Sequence, residues 1–312
     1  MPQVRNLVQD VRLSAQQLIQ PLFVIEGLAE AEDIQGLTGN YRETERSLLE
    51  RMQSDLDAGI SSFLLFGVPA GKKTHAFDGA FTARCIQAIK KRFGSRVFLA
   101  VDVCLCSLTT HGHCGILEGD HILNNASVVE LANLARIYAE AGADCIAPSD
   151  MMDGRIGAIR DILDSCGLDR VLIMSYAAKF HSKFYGPFRL AADSSPRGIG
   201  PKDRATYQID PANMKDALVS ACRDEEEGAD IIMIKPALPY LDIVRRIADS
   251  SLRPLAVYQV SGEYAAIELM GQHGLMDAVG AHREAWTACI RAGSSMIITY
   301  GARNWQKILG YV

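Results

Sequence analysis

Eight short apolar runs, each separated from the next by a longer segment, constrain this chain more than any other feature. They lie at 18–25 (LIQPLFVI), 60–68 (ISSFLLFGV), 96–103 (RVFLAVDV), 145–149 (CIAPS), 171–177 (VLIMSYA), 230–236 (DIIMIKP), 255–262 (LAVYQVSG) and 295–301 (SMIITYG). None shows the polar alternation of a half-exposed strand, as expected where both faces are covered. The segments between them, such as VVELANLARIYAEAGA, carry apolar residues at helical spacing and stop at glycine. AEAGAD (139–144) and EEEGAD (225–230) each end a helix and lead directly into a strand. Eight strand–helix units predict an α/β fold of the closed (β/α)8 TIM-barrel type. A doubly wound sheet is the alternative, but no G-x-G-x-x-G follows a strand and no G-x-x-x-x-G-K-[ST] loop occurs. No repeat or linker divides the chain. Residues 1–15 read as a short N-terminal arm and 16–312 as one barrel domain.

Composition excludes several function classes. At 312 residues and 48% apolar, the chain is long enough to bury a full core without disulfide staples. No apolar run approaches the roughly 18 residues of a membrane span, and MPQVRNLVQDVRLS lacks a secretory h-region. A cytoplasmic address is therefore expected, with the eight cysteines reduced. The net charge of −5 and the absence of a basic block argue against nucleic acid. Lys90, Lys91 and Arg92 read as a solvated helix end.

In a barrel, catalytic groups belong at the C-terminal ends of strands. Those positions hold Asp102 with Cys104, Ser149 with Asp150, Tyr176 followed by Lys179, Lys235, Ser261 with Glu263, and Tyr300. Cys104 and Cys106 lie two apart, so an extended segment would point them the same way. Cys114 returns after a loop whose Gly112 and Gly115 permit a tight turn. Three thiolates on Zn²⁺ would leave a fourth position open, the catalytic rather than the structural pattern. The plain alternative is that buried cysteines act as small hydrophobes. His111 and His113 are candidates for a supporting shell or for the turn. Lys235 leaves an apolar strand, where burial lowers an amine's pKa and makes it a nucleophile toward ketones. Lys179 follows another strand, with Lys183 a competitor that spacing cannot separate from it. Arg189, Lys202 and Arg204, in a loop over the mouth at about 190–208, suit either a carboxylate clamp or a charged surface. Tyr258 suits core or site equally.

VDVCLC, THGHCGIL, APSDMMDGR, SYAAKFHSKFYGPFR, MIKPALPYLDIV and VYQVSGEY together resemble the zinc-dependent 5-aminolevulinate dehydratase (porphobilinogen synthase) family across nearly the whole chain. The resemblance implies a lyase that condenses two 5-aminolevulinate molecules to porphobilinogen in tetrapyrrole synthesis. Its fold would be a (β/α)8 barrel, and its assembly a homo-octamer built from dimers. It implies Schiff bases at Lys235, for the first substrate, and Lys179, for the second. Cys104, Cys106 and Cys114 would bind one catalytic Zn²⁺ per subunit. Arg189, Arg204 and Gln208 would meet the second carboxylate, and Ser261 and Tyr300 the first. Ser149 and Asp150 would line the centre, with Asp102 assisting proton transfer. Ser220 stands where many bacterial members carry a glutamate for an allosteric Mg²⁺, which argues against that site, although Asp224 lies one turn on. The short arm weakens the case for the octamer. A class I, single-lysine aldolase is the enzymatic alternative, and a zinc-stabilised scaffold the non-enzymatic one.

Overall fold

The computed structural model describes residues 1–198 and 200–311. All eight apolar runs form strands: β1 (Leu18–Ile25), β2 (Ser62–Val68), β3 (Phe98–Val103), β4 (Cys145–Pro148), β5 (Leu172–Lys179), β6 (Ile231–Lys235), β7 (Leu255–Gln259) and β8 (Met296–Thr299). Each pairs in parallel with the next, and β8 pairs with β1 to close the ring. The result is a (β/α)8 barrel, as the alternating pattern predicts. Lys179 differs from the sequence reading: it is the last residue of β5 rather than a residue beyond the strand.

Strand periodicity sorts the core into two compartments. Alternate residues such as Leu64 and Phe66, Met174 and Tyr176, Met233, Ala256 and Tyr258, and Ile298 and Tyr300 form one buried cluster inside the barrel. Their neighbours, including Leu65, Val101, Ile146, Ile173, Ile232 and Val257, pack outward against the helices. The outer layer includes α2 (Glu45–Asp57), α3 (Ala80–Phe93), α4 (Asn124–Glu140), α5 (Arg155–Ser165), α7 (Met214–Glu226), α8 (Leu241–Ala248), α9 (Ser261–Gln272) and α10 (Ala278–Arg291). The short helices α1 (Pro2–Leu7), α6 (Gly186–Ala191) and α11 (Trp305–Leu309) lie before the first strand, above the barrel mouth and after the last strand. Lys90 bonds to Asp144 at 2.9 Å, while Lys91 and Arg92 are exposed, as expected for a helix end.

Side chains reinforce the closure. Pairing of β1 with β8 covers Leu18 and Ile19 and stops before Pro21, which has no N–H to offer. There the buried Gln20 donates to Asn40 Oδ1 (2.9 Å) and accepts from Arg303 N (3.1 Å). Asn40 in turn donates to the Tyr300 carbonyl (3.1 Å).

Close by, Glu263 in the first turn of α9 joins two loops. Its carboxylate accepts N–H bonds from Val260 (2.6 Å), Leu238 (2.6 Å) and Ala237 (3.3 Å). Burial pushes its pKa up to about 7, against the lowering effect of those bonds. Glu263 thereby ties the loop after Lys235 to the turn before Ser261. Glu263→Ala would leave two buried N–H donors and the part-buried one of Leu238 unpaired, a loss of about 2 kcal/mol or more at roughly 1–3 kcal/mol for each buried donor. Urea unfolding measures it; a loss below about 1 kcal/mol would show that the carboxylate does not hold the two loops.

Candidate active site

The C-terminal mouth gathers the predicted groups into one buried chamber. Lys179 and Lys235 end adjacent strands and are direct partners in register. That alignment needs an irregularity in β5. Ser175 faces Ile232 and Ala178 faces Ile234, so β5 spends three steps where β6 spends two. Tyr176 points into the barrel, Ala177 and Ala178 both face the outer core, and the extra residue returns Lys179 to the inside. Lys183, its competitor by spacing, is exposed in a 3-10 turn.

The two lysines are 5% and 3% exposed, so neither ammonium group has bulk water to solvate it. Lys235 Nζ lies in an aromatic box, 4.0 Å from the Tyr258 ring centroid, 4.7 Å from Phe188, 5.1 Å from Tyr176 and 5.5 Å from Tyr185. Burial, and then the positive charge of Lys179, hold its pKa well below the ordinary lysine value. Lys179 Nζ donates to the Ser149 carbonyl. Asp102, at the end of β3, is pushed up to about 6 by burial, partly offset by Lys179. Asp150 also reaches about 6 by burial, against the lowering charge of Arg155, whose Nε is 3.8 Å away.

The three cysteines converge beside these groups. Their sulfur atoms lie within 4.8 Å of one another, and no His, Asp or Glu among the described residues joins the cluster. Cys104 leaves β3 and Cys106 lies in a turn rather than on an extended segment; the turn brings their sulfurs to 3.3 Å. Hydrogen bonds from Cys104 and Cys106 pull the Cys114 thiol well below its ordinary pKa, whereas burial raises Cys104. Three such convergent sulfurs are a donor set for a soft divalent ion, which binds as their protons leave. The other five cysteines are also unpaired and scattered through the chain.

Arg204 is buried near the thiols. Burial alone would lower its pKa, and Cys114, Cys106, Tyr207 and Cys104 together more than offset that. It donates to the carbonyls of Gly112 (3.0 Å) and Ser194. His113 bonds Tyr207 through Nδ1 (3.1 Å) and the Pro201 carbonyl through Nε2 (2.9 Å), and Arg197 N donates to the His111 carbonyl (3.0 Å). The two histidines therefore fasten the cysteine loop to segment 194–207 instead of facing the thiols. Gly112 makes the approach possible: its φ is +73° and any Cβ there would strike the Ser195 carbonyl oxygen.

The remaining predicted residues line the same mouth. Ser261 Oγ accepts from Phe188 N (3.1 Å) and donates to the Phe184 carbonyl (3.3 Å). Tyr300 shares a 3.1 Å hydroxyl contact with Tyr258, whose ring flanks Lys235, which places Tyr258 in the site. Gln208 is buried with both amide atoms unpartnered, and the Nε atoms of Arg189 and Arg204 are unpartnered too. Such groups are suited to receive a polar ligand. Lys202 is exposed. Asp224, which sequence spacing made available beside Ser220, is turned inward and paired with Arg155 at 2.9 Å. Sequence reasoning assigned no role to Arg155, Tyr207, Phe188 or Tyr185. Arg155 had one usable signal, its helical spacing with the buried Ile156, Ile159 and Leu163.

Comparison with known proteins places this mouth in a family. The family model described as "ALAD: Delta-aminolevulinic acid dehydratase" matches residues 1–308. A delta-aminolevulinic acid dehydratase from Helicobacter pylori is 42% identical over 311 residues, covering 98% of this chain and 95% of that protein. One from Streptomyces coelicolor is 41% identical over 315 residues, covering 99% and 94%. The crystal structure of the Toxoplasma gondii ME49 enzyme, in complex with the reaction product porphobilinogen, superposes with a TM-score of 0.91 at 36% identity, covering 97% of this chain and 88% of that one. A Xanthomonas albilineans dihydropteroate synthase, at 12% identity and a TM-score of 0.51, shares the fold alone. This chain belongs to the delta-aminolevulinic acid dehydratase family.

Proposed function

We propose that the chain is a porphobilinogen synthase, a lyase that joins two 5-aminolevulinate molecules with loss of two waters. The observation that carries this reading is the register pairing of Lys179 with Lys235 in one buried chamber, beside Asp102 and the three thiols. Each lysine amine adds to a substrate ketone and, after loss of water, forms an imine. The imine acidifies the neighbouring carbon, which permits carbon–carbon bond formation without a free carbanion in water. Formation of the ring carbon–nitrogen bond and release of product return both lysines as amines. Asp102, with its raised pKa, is suited to accept and return protons within reach of both lysines' charges. Ser149 and Asp150 line the centre. Ser261 and Tyr300 receive the first substrate's carboxylate, and Arg189, Arg204 and Gln208 the second's. A simple aldolase needs only one such lysine.

Cys104, Cys106 and Cys114 fit Zn²⁺, with a fourth position left open. When bound, zinc supplies Lewis-acid polarisation at the second substrate. Segment 190–208 serves as the lid and residues 1–15 as the arm of a homo-octamer built from dimers. The exposed Val4, Leu7 and Val8 give that arm an apolar face for a neighbouring subunit. No helix among the described residues is long and apolar enough to cross a membrane, which is compatible with the cytoplasmic address we propose.

Purified protein incubated with 5-aminolevulinate should yield porphobilinogen, and a chelator should stop it. Replacing Cys104, Cys106 and Cys114 together by alanine should remove the bound zinc and lower the rate on the order of a hundredfold or more, since such polarisation contributes several kcal/mol. The fold should persist, because the thiol cluster lies apart from both core compartments. Unchanged zinc content in that variant would refute the ligand assignment.

Magnesium should do little once zinc is saturating. Ser220 supplies no carboxylate, and its hydroxyl accepts from Arg223 (3.4 Å), which pairs with Asp153 at 2.8 Å. A guanidinium in that position disfavours a second cation. Sedimentation and activity followed through a Mg²⁺ titration test this: a several-fold rise in rate together with growth to an octamer would contradict it.

A further inference from the structure

The β5 irregularity that turns Lys179 inward has a support behind it that the reaction itself does not use. An extra residue in a strand interrupts its ladder and leaves backbone groups to be satisfied elsewhere. Arg155, at the start of α5, reaches this point from the outer side. Its Nη2 lies 3.2 Å from Ser175 Oγ and 3.4 Å from the Tyr176 carbonyl oxygen. The same nitrogen pairs with Asp224 of α7 at 2.9 Å, and Ser175 Oγ donates to the same carboxylate. Arg155 and Asp224 side chains are 1% and 0% exposed.

A buried ion pair adds little stability over a well-packed apolar pair of the same volume. Its location is therefore the informative feature. Both charges converge on Ser175 and Tyr176, the residues at which β5 departs from the β6 register. From there the strand runs through Ala177 and Ala178, both turned outward, to Lys179. Losing the extra residue's conformation would return the strand to simple alternation, which sends Lys179 to the outer face.

We propose that Arg155, Asp224 and Ser175 form a positioning device: they hold the β5 bulge and so aim the Lys179 amine into the chamber beside Lys235. The proposal rests on Lys179 being an imine-forming residue. It assigns the three residues no contact with substrate.

Borohydride reduction in the presence of 5-aminolevulinate, followed by quantitative peptide mapping, reads the two lysines separately. Ser175→Ala tests the bulge with the smallest change. The paired Arg155→Met/Asp224→Leu variant removes both charges of the ion pair together; it also takes the Arg155 charge away from Asp150, 3.8 Å from Arg155 Nε, so its fold is verified by circular dichroism before trapping is read. Trapping at Lys179 should slow in both, approaching roughly a hundredfold in the paired variant, while Lys235 stays within about twofold of the parent protein. Equal losses at both lysines, or full trapping at Lys179 in both variants, would overturn the proposal. Absence of any Lys179 adduct in the unmodified protein would instead refute the two-imine reading on which it rests.

Discussion

Two primary amines held side by side out of water are the constraint on which the rest of the site depends. Lys179 and Lys235 are register partners on neighbouring strands, and both are nearly fully buried. Two ammonium groups in such a space repel each other and lack solvation, so the arrangement favours a free amine. Burial, and then its neighbour's charge, hold the Lys235 pKa well below the ordinary lysine value. The aromatic box around its nitrogen supplies apolar surface while its ring faces still tolerate the charged form. Asp102 provides the opposite charge within the same chamber.

The neighbouring thiol site solves a different electrostatic problem. Hydrogen bonds from Cys104 and Cys106 lower the Cys114 pKa, and the charge of Arg204, on the segment that crosses the mouth, lowers it further. That segment bonds the cysteine loop through His113, Arg197 and Arg204. Segment 194–207 and the three cysteines are consequently one connected unit, built from loops on a scaffold whose two core compartments do not include the thiols.

The barrel was legible in the sequence because strands buried on both faces must be continuously apolar, and eight such runs leave few other topologies. The cysteines and Lys235 were legible for a related reason: polar groups at the ends of apolar runs have few purely structural uses. Lys179 was harder. Strand alternation counted from Tyr176 points it away from the chamber, and only the bulge, which two consecutive alanines do not announce, restores it. Nothing local separated Lys179 from Lys183; burial of one and exposure of the other did. The extended geometry assumed for Cys104 and Cys106 gave way to a turn. Arg155 and Asp224 come from different helices and lie 69 positions apart, a partnership that no local pattern reveals.

The pairing of two buried amines is tested most sharply by the pH dependence of imine trapping with 5-aminolevulinate and borohydride, the modified lysines being identified by peptide mapping. Burial and then the Lys179 charge hold Lys235 well below the ordinary 10.5, so its free amine is available at lower pH than that of an ordinary lysine. Adducts are expected at both Lys235 and Lys179 near neutrality, with the Lys235 adduct declining only as the solution becomes acidic. A Lys235 adduct that appears only as the pH approaches 10.5, or an adduct confined to Lys183, would contradict the paired-amine chamber.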